Sequence, residues 1–142
     1  MTYTEKIQKL IVALNTLTTE TKISWAPFPE YIELTNNIYA KKYMVEYNRY
    51  LYSSGTHPII SEYTSKACSI SGGAIFLVNF IETKSERNYY ILAYQDSPNR
   101  PIKELTAQTD FQNELMALSI SISSQEDPGF QFIDEIINLA NE

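Results

Sequence analysis

Residues 71–81 read Ser71-Gly72-Gly73-Ala74-Ile75-Phe76-Leu77-Val78-Asn79-Phe80-Ile81. From Ala74 onward the run is apolar at odd and even positions alike. Successive side chains of a strand point to opposite faces, so this strand is covered on both sides and belongs in the middle of a sheet. Ser71-Gly72-Gly73 supplies the positive φ angles of a tight hairpin turn, which makes Tyr63 to Ile70 the antiparallel neighbour. Beyond the charged turn from Glu82 to Asn88, Tyr89 to Tyr94 returns as another strand. A Pro-containing loop from Asp96 to Pro101 closes the sheet region.

The flanks read mostly as helices. Thr2-x-x-Glu5 has capping-box form, and Ile7, Leu10, Ile11 and Leu14 follow at helical spacing, predicting a helix from about residue 3 to 16. The polar stretch Thr16 to Thr21 ends it. Lys22-Ile23-Ser24-Trp25 reads as a short strand broken by Pro27 and Pro29, with Tyr31-Ile32-Glu33-Leu34 as a second short edge strand. Downstream, Pro101 suits a first helical turn. Asp110 can cap a piece striped by Phe111, Leu115, Leu118 and Ile122. Asp127-Pro128 opens a last helix carrying Phe130, Ile133, Ile136, Ile137 and Ala140. The expectation is a single α+β domain over residues 1–142. Its antiparallel meander of four to five strands packs with an N-terminal helix, a mid-chain helix and C-terminal helices.

The mid-chain segment is unusual. Five of the eleven tyrosines, Tyr39, Tyr43, Tyr47, Tyr50 and Tyr52, lie within residues 39–52. The first four are spaced 4, 4 and 3 apart, close to the helical repeat. Projected at 100° per residue, Tyr39, Ala40, Tyr43, Met44, Tyr47, Tyr50 and Leu51 share a sector about 140° wide, and Lys41, Lys42, Glu46, Asn48 and Arg49 lie outside it. Asn36 or Asn37 can cap the start, Gly55 can take the left-handed position past the end, and Pro58 stops continuation. Tyrosine favours strands, but a strand here would mix polar and apolar groups on both faces, so a helix is predicted. Each ring joins a large apolar body to a hydroxyl, which serves a core face or a recognition face. An apolar stripe is usually a core stripe, and that reading is preferred. As a recognition face, Tyr39, Tyr43, Tyr47 and Tyr50 would bind a partner inside a rim of Lys41, Lys42 and Arg49. Trp25 is a further candidate anchor, since tryptophan is enriched at binding hot spots, although a lone Trp more often plugs a core.

The remaining chemistry is sparse. A net charge of −6 with only three scattered arginines disfavours nucleic acid and anionic membrane surfaces. One cysteine, Cys68, excludes an internal disulfide and a thiolate zinc knuckle, and one histidine, His57, leaves too few ligands for a metal. Cys68 falls mid-strand, where a small buried thiol is routine, so a Cys68–His57 dyad is not preferred. Asp110 with Glu114, Glu126-Asp127 and Asp134-Glu135 read as solvated acids rather than a cation site. Glu30, Glu33 and Asp96 show no spacing that marks acid–base partners. Gly72-Gly73 lacks the Lys and Ser/Thr of a phosphate loop. No catalytic residue, cofactor or metal is expected. The five-residue apolar run Leu10 to Leu14 is followed by no small-residue cleavage site, and no segment reaches the length of a membrane span, so a cytoplasmic chain is expected.

The bias toward Ile, Asn, Tyr and Lys resembles that of AT-rich bacterial genomes. Lys22-Ile23-Ser24-Trp25 after a first helix, then Gly72-Gly73-Ala74-Ile75-Phe76-Leu77 and Tyr89-Tyr90-Ile91-Leu92, is similar to small α+β proteins of low-GC Gram-positive bacteria, some carried on phage or mobile elements. The similarity covers residues 1–30 and 62–142 and implies the fold; it implies no activity. The functional expectation is a non-catalytic accessory or regulatory protein that binds another protein or a second copy of itself. The alternative is a small-molecule binder or enzyme with a Tyr-lined pocket between the mid-chain helix and the sheet.

Overall fold

A computed structural model describes residues 1–48, 58–82, 84, 85, 87–126 and 128–141. In chain order the elements are α1 (Tyr3–Thr19), β1 (Ala26–Pro27), α2 (Phe28–Thr35), α3 (Ile38–Asn48), β2 (Pro58–Ile60), β3 (Lys66–Ile70), β4 (Gly73–Glu82), β5 (Asn88–Gln95), β6 (Lys103–Glu104), α4 (Gln112–Glu126) and α5 (Pro128–Ala140). The class is α+β. The six strands form one antiparallel sheet in the order β1-β3-β4-β5-β6, and β2 pairs with the far end of β4.

β4 is the central strand, and it is buried as its sequence demands. Ala74, Phe76, Val78 and Phe80 pack under α2 and α3 with Phe28, Tyr31 and Ala40. Leu77 packs on the opposite face with Ile7, Ile11 and Leu14 of α1 and Leu115, Leu118 and Ile122 of α4. The hairpin before it turns on Ser71 (φ 51°) and Gly72 (φ 80°), the paired positive angles that suit a right-twisted two-residue connection. Gly73 has a separate reason to lack a side chain: a Cβ there would lie 2.2 Å from the Gln95 carbonyl oxygen.

Several boundaries differ from the sequence reading, each for a local reason. α1 runs on to Thr19 because Thr18 is a core residue: its hydroxyl donates to Leu14 O at 2.7 Å and accepts from Trp25 Nε1 at 2.9 Å. The helix closes with Thr21 left-handed (φ 57°) and Lys22 N donating to Leu17 O, the hydrogen-bond pattern of a Schellman cap. Residues 22–25 connect rather than pair, and the strand shifts to Ala26–Pro27 against Lys66–Ala67. Tyr31 to Leu34 is not a strand. Pro29 sits in the first turn of α2, where a missing N–H is harmless, and Asn36 ends the helix with φ 52°. Tyr63 to Ser65 are also not strand: Ser65 N donates to Ser61 O, and β3 begins at Lys66. Asn79 of β4 holds this excursion, donating its backbone N–H to Ser65 Oγ and accepting at its side chain from Thr64 Oγ1. Pro101 opens no helix; it precedes the two-residue strand β6. Asp110 does not cap α4 but accepts from Ala107 N through Oδ2.

The mid-chain helix is present as α3, capped by Asn37, whose Oδ1 accepts from Ala40 N at 3.1 Å. Arg49, Tyr50, Leu51, Tyr52, Gly55, His57 and Asp127, all of which the sequence reading used, lie outside the described residues.

Candidate functional site

α3 lays its tyrosines along the sheet. Tyr43 and Tyr47 are half-buried against the cluster that holds Phe28, Phe76 and Phe80. The rings form a continuous edge-and-face run. Tyr43 lies 6.4 Å from Phe28 and 5.1 Å from Tyr47, Tyr47 lies 4.7 Å from Phe80, and Phe80 stacks on Tyr89 at 5.4 Å. Such pairs add to the area buried because ring edges are positive and faces negative. Both hydroxyls donate to one acceptor, Glu104 Oε1 on β6, each at 2.8 Å. Burial and the neighbouring carboxylate push both phenols well above their ordinary range, Tyr43 further than Tyr47. Both therefore stay protonated donors, and the cluster latches α3 to the edge of the sheet. Tyr39 is half-buried one turn earlier.

The other sequence candidates fall apart spatially. Trp25 is buried in the α1–α4 layer with its indole N–H spent on Thr18, so it presents no ring to a partner. Cys68 is buried mid-strand opposite Ile75, and burial pushes its thiol up to about 11. A thiol so held is not a nucleophile at neutral pH. Among the described residues, no three of His, Cys, Asp and Glu converge.

A polar cluster that the sequence did not announce lies at one end of the sheet. Tyr31, Asn37 and Gln95, exposed by only 7%, 6% and 2%, line a cavity of about 440 Å³ with Thr35, Ser69, Ser71 and Pro98. Asn37 Nδ2 donates to Gln95 Oε1 at 2.6 Å and to Tyr31 Oη at 3.2 Å, and Gln95 Nε2 donates to Arg100 O at 2.7 Å. Tyr31 Oη, the acceptor of that Asn37 bond, belongs to a residue that lines the cavity. Asn37 and Gln95 are 58 positions apart, and only the fold, which brings the α2–α3 turn to the end of β5, joins them.

The largest unpartnered feature is α5. Phe132, Ile133, Ile136, Ile137 and Leu139 are exposed by between 50% (Ile133) and 67% (Leu139). Projected at 100° per residue they share a sector about 160° wide with Ala140, and Asp134, Glu135 and Asn138 occupy the rest. A folded monomer rarely leaves so continuous an apolar stripe in water. The spacing predicts the stripe, but the expected packing of its helix within the domain is not met, since these five side chains lie exposed. The C-terminal stretch of sequence is one-signed. All eleven Lys and Arg precede residue 104, whereas eight of the seventeen acids lie in 104–142.

Compared with family models, curated proteins and solved structures, the chain matches none. No helix among the described residues is long and apolar enough to cross a membrane.

Proposed function

We propose that the chain is a non-catalytic accessory or regulatory protein of the bacterial cytoplasm that acts by binding another protein. The observation that carries this reading is the exposed apolar face of α5. The tyrosine face, the first candidate from sequence, supports it less: Tyr43 and Tyr47 spend their rings on Phe28 and Phe80 and their hydroxyls on Glu104. Its resemblance to small proteins of low-GC Gram-positive bacteria would set the partner in such a host. Affinity capture from the native host tests the reading, using the full chain beside Ile136→Glu. That site is half exposed, so the variant should melt like the parent yet lose a captured protein. Equal capture by both chains would remove α5 from the account.

A second reading has one specific observation behind it, the buried Tyr31, Asn37 and Gln95 lining a cavity of about 440 Å³. The uncharged lining of amides and hydroxyls matches a small neutral ligand bearing carbonyl or hydroxyl oxygens better than an ion. The cavity lies at the α2–α3 turn, not among the tyrosines of α3 where the sequence alternative placed it. Screening neutral sugars and amides by ligand-detected NMR tests this reading. Binding that Tyr31→Phe abolishes would support it, and the absence of any hit would remove it.

A further inference from the structure

We infer that the occupant of the α5 face is a basic, amphipathic helix of another protein. This rests on the partner-binding reading above and adds the chemistry of the partner. An apolar stripe at helical spacing on a 13-residue helix is matched by side chains at the same spacing on a second helix, which bury it along a length of about 20 Å. What flanks the stripe then selects among possible helices. Asp134 and Glu135 are the charged residues that border it. The neighbouring sequence adds Glu126, Asp127 and Glu142, and no Lys or Arg follows Lys103. A partner with Lys or Arg beside its own stripe gains rim ion pairs and faster encounter, whereas an acidic one is repelled.

The same charges argue against the other occupants. Two α5 helices pairing from two copies would bring together rims whose only charges are the acids Asp134 and Glu135, with no base to complement them. An anionic bilayer accepts amphipathic helices whose polar face is rich in Lys and Arg, the reverse of this one. Nucleic acid needs counterions that this segment cannot replace. Apolar contact supplies attraction, and charge supplies the choice of partner.

The experiment uses the isotope-labelled full chain and three synthetic helical peptides. They share one Leu/Ile stripe, and the positions beside it are all Lys, all Gln or all Glu. Amide shifts of residues 132–140 locate binding, and titration gives the affinity. The Lys peptide is expected to shift α5 and to bind at least about tenfold more tightly than the Glu peptide. That preference should collapse between about 0.05 M and 0.5 M salt as rim charges are screened. Ile133→Glu and Ile137→Glu, both at exposed positions, should each weaken the Lys peptide about tenfold with the melting temperature unchanged. If Lys and Gln peptides bind equally at every salt concentration, the basic assignment falls while docking on α5 stands. If no peptide moves α5, both readings fall. A dimer in sedimentation equilibrium that Ile133→Glu dissolves, or binding of the chain to anionic phospholipid vesicles, would name a different occupant and overturn the assignment.

Discussion

Truncating Tyr43 to alanine removes a ring that stacks on Phe28 and meets Tyr47 edge-on at 5.1 Å. It also removes a hydroxyl that donates to Glu104 Oε1 at 2.8 Å. Full truncation of a buried aromatic costs about 3–5 kcal/mol. Tyr43 is half-buried, so the lower end applies, about 3 kcal/mol. Tyr43→Phe isolates the hydroxyl. A hydrogen bond to a charged group contributes about 1.5–3 kcal/mol when buried, but Glu104 is exposed and water replaces the lost donor, so about 1 kcal/mol is expected. Tyr47→Phe should behave alike, since its bond has the same length to the same oxygen. Two donors on one carboxylate oxygen weaken each other, because each withdraws charge the other would use. Removing both hydroxyls should therefore cost more than the two single losses combined, a coupling that a double-mutant cycle reads directly. Urea unfolding followed by circular dichroism at constant pH supplies all four stabilities. If Tyr43→Ala stayed within about 0.5 kcal/mol of the parent, the ring would not be a core ring and the latch would be refuted.

Other perturbations act on separate parts of the fold. Gly73→Ala drives a Cβ into the Gln95 carbonyl and to 3.0 Å from Asp96 Cα; since only backbone can yield, a loss of about 2–3 kcal/mol is expected in urea unfolding. Thr21→Gly relieves a β-branched residue held at φ 57° in the α1 cap, and after the entropy of glycine in the unfolded chain it should stabilise by about 0.5–1 kcal/mol. Alkaline pH should unfold the protein with a definite sign. An unfolded tyrosine ionises near pH 10, whereas folded Tyr43 and Tyr47 hold their protons above that. The stability they contribute is complete below about pH 10 and is lost as pH rises toward their folded values, because the unfolded state binds fewer protons there. Melting temperature should fall more steeply above pH 10 in the parent than in the Tyr43→Phe, Tyr47→Phe double variant; equal slopes would remove the effect.

What the sequence disclosed follows how local each signal is. The two-sided apolar run of β4, the Ser71-Gly72 turn and the N-cap at Thr2 are settled within a few residues, and the structure has them all; of the capping box it has the half in which Thr2 Oγ1 accepts from Glu5 N. The helical spacing of Tyr39, Tyr43 and Tyr47 outweighed strand propensity because Asn37 caps the helix and Ala40 packs fully buried beneath it. Tyr31 to Leu34 misled because four residues are too few to separate the two periods. The prolines before them read as strand breakers when they were the start of a helix. Thr18 looked like polar punctuation, and only Trp25 closing over it made it core. The Tyr31–Asn37–Gln95 cluster had no signature in the sequence, because Gln95 reaches Tyr31 and Asn37 only when the fold brings the end of β5 to the α2–α3 turn. For α5 the pattern predicted a helix correctly but could not say whether anything lies against it. An apolar stripe has the same sequence whether its cover is the chain itself or a partner.

Whether a partner covers α5 is addressed most directly by photo-crosslinking in the native host. A photoreactive residue placed at Ile136 should trap a single protein whose contacting segment is basic and helical, while the same probe at Tyr43, beneath the Glu104 latch, should trap none. A crosslinked protein at Tyr43 with nothing at Ile136 would return recognition to the tyrosine face and contradict the assignment of docking to α5.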